Sequence, residues 1–280
     1  PLYTRGWAIP VATDTAFILG ILSFFSTKIP LSVRLLVLAL SIIDDIIAVV
    51  ILAVFYTASL SYLPLLIAAI ILLLLFIMNL LNVNKLSLYL MLGFGLWLSL
   101  IEAGIHGTIA GVLLGIFIPE RIKDSEDKVH SPLKRLEHSL HPLVALIILP
   151  IFSFLNCEIP FNELTFQDFY SPVTLGILGG LFIGKQFGIM SFSLIAVKLK
   201  FCKLTHGLNW KIYYAISILC GIGFTFSLFI GVLCFESDPL ENQMKLGVIL
   251  GSLLSALIGT VFLYRVTKLS HQQSHEIPRP

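Results

Sequence analysis

The sequence predicts an all-α polytopic membrane protein, and three observations carry that reading. Of the 280 residues, 57% are hydrophobic and 12% are charged, where a soluble domain has about 25% charged residues. Apolar runs of about 20 residues, the length that crosses a bilayer as a helix, recur along the whole chain. Lys and Arg collect on alternate connections between those runs, as they do in cytoplasmic loops.

The runs fall at roughly 7–25, 35–56, 63–81, 132–155, 174–197, 211–235 and 244–264. The stretch 86–118 is too long for one span and carries Glu102 and His106 in its middle, so it divides into about 86–99 and 104–118. That makes nine spans. One side then holds Lys28, Arg34, Lys85, Arg121 through Arg135, Lys198, Lys200, Lys203 and Lys211, with Arg265, Lys268 and Arg279 in the tail. The other holds Glu102, Glu158, Glu163, Asp168, Glu236, Asp238 and Glu241, with Arg5 and Lys245. The N-terminus is therefore expected outside and the C-terminus in the cytoplasm. Residues 1–269 form the transmembrane domain, and 270–280 read as a disordered cytoplasmic tail.

Small residues recur every four positions at Gly107, Gly111 and Gly115, at Gly176, Gly180, Gly184 and Gly188, and at Gly247, Gly251, Ser255 and Gly259. Such stripes let helix backbones approach closely in lipid. Cys157, Cys202, Cys220 and Cys234 are widely spaced with no CxxC pair. They read as small apolar residues in helices, not as a metal or disulfide framework. No cofactor and no nucleic-acid partner is expected.

Charge inside the spans carries the chemistry. Residues 41–48 read SIIDDIIA, within an apolar run whose only other polar group is Ser41. With Asp44 and Asp45 go Asp14 and Lys185. Each charge at mid-membrane costs roughly 2.5–3.5 kcal/mol on the insertion scale. Three acids cannot all pair with one base, so at least one carboxylate takes a proton or a cation. Adjacent acids titrate as one coupled site, and their hard oxygens suit an alkali cation. Protons and a cation that compete for the same oxygens give exchange. Consecutive side chains on a helix point about 100° apart, so one aspartate can face the cation while the other faces Lys185.

Two spans look interrupted. In GWAIPVATDTAFILG, Pro10 removes a backbone donor ahead of Thr13, Asp14 and Thr15. In CGIGFTFSLF, Gly221 and Gly223 loosen the backbone, and Thr225 and Ser227 can bond freed carbonyls. Paired interruptions point to the ion site of an inverted-repeat transporter. The second unit has a helix before its break, and the first has none in this chain.

These segments, with ALSIIDDIIAVVI, GIHGTIAGVLLGIFIP, SPLKRLEHSLHP, GLFIGKQFGI and LCGIGFTFSLFI, closely resemble the NhaA-type bacterial sodium/proton antiporters, in order and over nearly the whole chain. The resemblance implies an inverted-repeat fold with two crossing, discontinuous helices. These nine spans look like the fourth to twelfth of the family's twelve, so the chain is expected to be N-terminally incomplete. It implies electrogenic antiport of sodium or lithium against protons across the inner membrane, for pH and sodium homeostasis, by a secondary transporter and not an enzyme. A homodimer is left open. Asp44 and Asp45 are then the transient sodium ligands and proton carriers. Thr13 and Asp14 line the helix crossing, where Asp14 compensates dipole ends, and Lys185 pairs with Asp44 or stabilises the fold. Lys134, Arg135, Glu137 and His138 match the family's pH-sensing helix end, and His106 a histidine linked to pH response. The chain departs from the family in DDIIA and FLNCEIP. Two other readings stand beside this one. The first is a truncated remnant that folds without transporting. The second is an intramembrane aspartyl protease, which needs its aspartates on separate helices with a motif such as GxGD.

Overall fold

The computed structural model describes residues 2–25, 29–57, 60–123, 129–159, 165–204, 209–235 and 238–275. Within them the apolar runs become helices. Six are long and apolar enough to cross a membrane, or seven with the bent pair Trp210–Leu219 and Phe224–Cys234 taken as one. The short apolar helices α4 (Leu86–Glu102) and α5 (Thr108–Phe117) stand apart, with Glu102 and His106 at their junction as the sequence implies. The exact total of nine spans is not reached by this measure. A two-residue antiparallel ribbon, β1 (Ile122–Lys123) with β2 (Val129–His130), precedes the helix that starts at Pro132. It is the one pairing of strands among the described residues and was not legible beforehand.

The chain forms two compact units, residues 49–151 and residues 1–48 with 152–280. In the first, α3 (Tyr62–Leu80), α4 and α5 pack through Ala68, Leu75, Tyr89, Leu96 and Ala110. Asn79 Nδ2 donates to the Phe117 carbonyl (2.8 Å) and satisfies the last turn of α5.

The second unit holds α1 (Thr15–Ser23), the first part of α2 (Leu31–Phe55), α8 (Pro172–Gly179), α9 (Lys185–Lys198), α10 (Trp210–Leu219), α11 (Phe224–Cys234) and α12 (Asp238–His275). Its core includes Ile18 and Leu22, Val33 and Val37, Ile216 and Leu219, and Leu263. The small-residue stripe of α12 packs as expected. A Cβ on Gly247 would lie 2.9 Å from the Thr174 carbonyl, and one on Gly259 would lie 2.6 Å from Leu219 Cδ2. The stripe at 176–188 packs at one place, where a Cβ on Gly180 would lie 2.8 Å from Pro10 Cγ. Gly176 and Gly188 face open space. A period of four marks a smooth helix face without saying whether another helix lies on it.

Two helices carry a π turn that no residue type announces. α6 (Pro132–Leu143) passes through Val144–Ile148 into α7 (Leu149–Asn156), and α8 passes through Gly180–Gly184 into α9. The second turn ends immediately before Lys185. α12 continues to His275, beyond the 269 at which the sequence reading closes the membrane domain, and residues 276–280 of the expected tail lie outside the described residues. None of the four cysteines is joined in a disulfide. Cys157 and Cys202 lie just past helix ends, so the expectation of helical positions fails for these two.

A polar cluster fixes the start of α8 against α12. Asp168 accepts from the Thr165 N–H and hydroxyl (both 2.8 Å) and from Gln243 Nε2 (2.8 Å). Thr174 Oγ1 lies 2.7 Å from the Asp168 carbonyl and 2.9 Å from that of Gln243. The Thr165 backbone bond, then Gln243, hold the Asp168 carboxyl below its usual range. The bonded form is thus fully present above the ordinary carboxylate value of about 4. It is lost as pH falls through the lower folded value. Asp168→Ala is expected to lower the melting temperature in detergent at pH 7, with the gap to the wild type closing below about pH 4. A gap that stays constant into acid would contradict this.

Candidate functional site

The site forms where two interrupted segments meet. The first enters as a 3₁₀ helix, Leu2–Val11, leaves helical geometry at Ala12–Asp14, and resumes as α1. The second breaks between α10 and α11 with a 43° bend. The Asp14 N–H donates to the Ile222 carbonyl at 2.7 Å, joining break to break. Glycine is required for this approach. A Cβ on Gly221 would lie 2.5 Å from the Leu181 carbonyl, and one on Gly223 would lie 3.2 Å from that of Ala12.

Asp14 occupies the N-cap position of α1 but makes no cap bond there. Its carboxylate turns to the other segment and accepts from the Thr225 N–H (3.0 Å) and hydroxyl (2.6 Å). α11 begins after Gly223, which has no side chain to cap with, and Asp14 supplies the missing acceptor. A carboxylate at a helix N-terminus is favoured by the free N–H groups and the dipole. Thr225 therefore serves a carboxylate and not the freed carbonyl anticipated for it. Ser227 does take a carbonyl, that of Ile9, at 2.8 Å.

Lys185 neutralises the opposite polarity. Its Nζ donates to the Val11 carbonyl (2.5 Å), Thr13 Oγ1 (2.6 Å) and Asp44 Oδ2 (2.8 Å). The Val11 carbonyl is the last of the 3₁₀ segment and has no helical partner. Thr13 Oγ1 passes its own hydrogen to Asp44 Oδ2 at 2.6 Å. The packing of Gly180 on Pro10 and the π turn that follows bring Lys185 to this point. The side chains of Lys185 and Asp44 are 10% and 22% exposed, so their ion pair is shielded from water.

Asp45 points elsewhere. It is half-buried, and its Oδ1 has no hydrogen-bond partner among the described residues. The 100° step along α2 separates the two carboxylates in this way: Asp44 meets the lysine and Asp45 keeps an oxygen free.

The structure thus brings Thr13, Asp14, Asp44, Asp45 and Lys185 into one unit. It adds the Val11 carbonyl, which composition could not single out, and gives Thr225 a carboxylate as its partner. His106 and the exposed Lys134, Arg135, Glu137 and His138 of α6 belong to the other unit. His106 Nδ1 lies 3.4 Å from Thr108 Oγ1, and Lys134 approaches Glu120 at 4.0 Å on the surface. Lys245, read from the sequence as an outer-side charge, is a further buried base: it is 8% exposed, pairs with Glu241 (2.8 Å) and donates to the Glu158 carbonyl (3.2 Å).

The sequence matches the family described as Na+/H+ antiporter 1 over residues 1–263. It is 46% identical over 269 residues to Na(+)/H(+) antiporter NhaA 1 of Syntrophotalea carbinolica, covering 96% of this chain and 67% of that protein. It is 47% identical over 259 residues to Na(+)/H(+) antiporter NhaA 2 of Klebsiella pneumoniae, covering 92% and 67%. For Na(+)/H(+) antiporter NhaA of Caulobacter vibrioides the identity is 46% over 264 residues, covering 94% and 64%. The chain spans about two thirds of the length of these relatives. With a match over nearly its whole length and these identities, this chain belongs to the Na+/H+ antiporter 1 family, whose members are membrane transporters and not enzymes.

Proposed function

We propose that this chain carries out sodium/proton antiport across a bacterial inner membrane, with Asp44 and Asp45 as the shared site of cation and proton. One observation carries the proposal: two adjacent carboxylates lie beside the junction of two broken helices, one held by Lys185 and the other with a buried oxygen left free. A carboxylate oxygen without a donor is unfavourable in a low-dielectric interior. A proton or a dehydrated alkali cation, sodium or lithium, relieves it. Both cannot occupy the same oxygens, so loading one releases the other.

The supporting residues divide the work. Thr13 and Lys185 hold Asp44, and a cation drawing on Asp44 must compete with the lysine for Oδ2. Asp14 holds the junction together and compensates the N-terminus of α11. When both carboxylates release a proton to water as one monovalent cation binds, two charges cross one way for one the other, which makes the exchange electrogenic. The two broken segments support the inverted-repeat reading, in which such helices cross at the substrate. The nine spans take their orientation from the basic connections, with the C-terminus in the cytoplasm. The response to pH is assigned to Lys134, Glu137 and His138 of α6 and to His106.

The test uses purified protein in proteoliposomes. An imposed sodium gradient is expected to drive proton movement, read as dequenching of a pH dye. A model transmembrane peptide in the same vesicles is expected to stay intact. Peptide cleavage without sodium-driven flux would replace this reading with that of an intramembrane protease.

A further inference from the structure

Ser41 is the single polar group accompanying Asp44 and Asp45 in their apolar run. It is 0% exposed, and its Oγ has no hydrogen-bond partner among the described residues. That state is unusual for this chain. Within a helix a serine or threonine hydroxyl ordinarily turns back to a carbonyl one turn earlier. Ser99 does so to Gly95, Ser139 to Arg135, Ser191 to Phe187 and Thr267 to Leu263. Ser41 leaves that bond unmade. Ser255 is likewise without a partner, but it lies against Gly221 at the second break.

The position of Ser41 says what its oxygen faces. The buried face of α2 runs through Val33, Val37, Ser41, Ala48 and Leu52. Ser41 and Asp45 are four residues apart, on the same face and about 6 Å apart along the axis. Helical side chains lean toward the N-terminus, so Asp45 leans back toward Ser41. Its Oδ1 is also a buried oxygen with no partner. Two oxygens without donors, one turn apart, can flank a hard cation at the usual contact distance of about 2.4 Å from each.

We propose that the Ser41 hydroxyl is a neutral oxygen ligand for the cation bound at Asp45. This rests on the antiport reading and adds a determinant of ion affinity to it. A hydroxyl replaces one water of a dehydrated cation without adding charge, so it strengthens cation binding without introducing another acid for the proton to occupy. When Asp45 is protonated instead, the same hydroxyl can accept that proton as a hydrogen bond.

The test is a sodium titration of proton flux by the full chain in proteoliposomes, with a melting curve for each variant. Ser41→Ala is expected to raise the KM for sodium about tenfold, the size of losing one contact to a charged group, with kcat within about twofold. Its melting temperature is expected to equal or exceed that of the wild type, since a buried hydroxyl without a partner has been removed. Ser41→Cys keeps the shape and substitutes a soft sulfur, so it is expected to raise KM similarly. It also carries the test if the alanine variant fails to fold. A functioning wild type with unchanged KM in both variants overturns this inference alone. A wild type that moves no sodium overturns it together with the antiport reading.

Discussion

Asp45→Asn is expected to bring sodium-driven proton flux down to that of protein-free vesicles, in a protein that still inserts and folds. At an effective dielectric of about 20, a carboxylate and a cation roughly 2.5 Å apart attract by on the order of 6 kcal/mol. Losing that attraction weakens cation binding by about four powers of ten. The amide also cannot take and release the proton. Folding should not suffer, because the Oδ1 of Asp45 has no hydrogen-bond partner among the described residues. The measurement is pH-dye dequenching beside a detergent melting curve. Wild-type flux in the asparagine variant would remove Asp45 from the site.

Lys185→Ala is expected to do two separable things. The first is loss of stability. Three acceptors depend on its Nζ: the Val11 carbonyl, Thr13 Oγ1 and Asp44 Oδ2. Removing one partner of a buried ion pair costs about 3–5 kcal/mol. The second is a loss of sodium-driven flux in the protein that still folds, because Asp44 Oδ2 loses the donor that holds it at the junction. A lower melting temperature with wild-type flux per folded molecule would make Lys185 a brace for the fold and nothing more.

The charged part of this site was legible because few causes put a carboxylate in an apolar helix. Asp14, Asp44, Asp45 and Lys185 stood out on that ground, and Pro10, Gly221 and Gly223 marked the breaks. The pairings were not legible. Which carbonyl Lys185 takes depends on a π turn at Gly180–Gly184 whose residues look like any apolar helix. Thr225 reads as a backbone-bonding hydroxyl until Asp14 is seen to lack donors in its own helix. Lys245 opens the apolar run 244–264, where an exposed charge is ordinary, and only packing buries it. Sequence spacing likewise could not separate the glycines of α12, which meet another helix, from Gly176 and Gly188, which meet none.

The Asp14 amide and carboxylate both bind the opposite segment, through Ile222 and Thr225. Prising the interruptions apart would strip an amide, a carbonyl and a carboxylate of their partners at one stroke, at a place where Asp14 is only 5% exposed. The two interruptions are thus a single mechanical piece, in which a change made at one break is felt at the other.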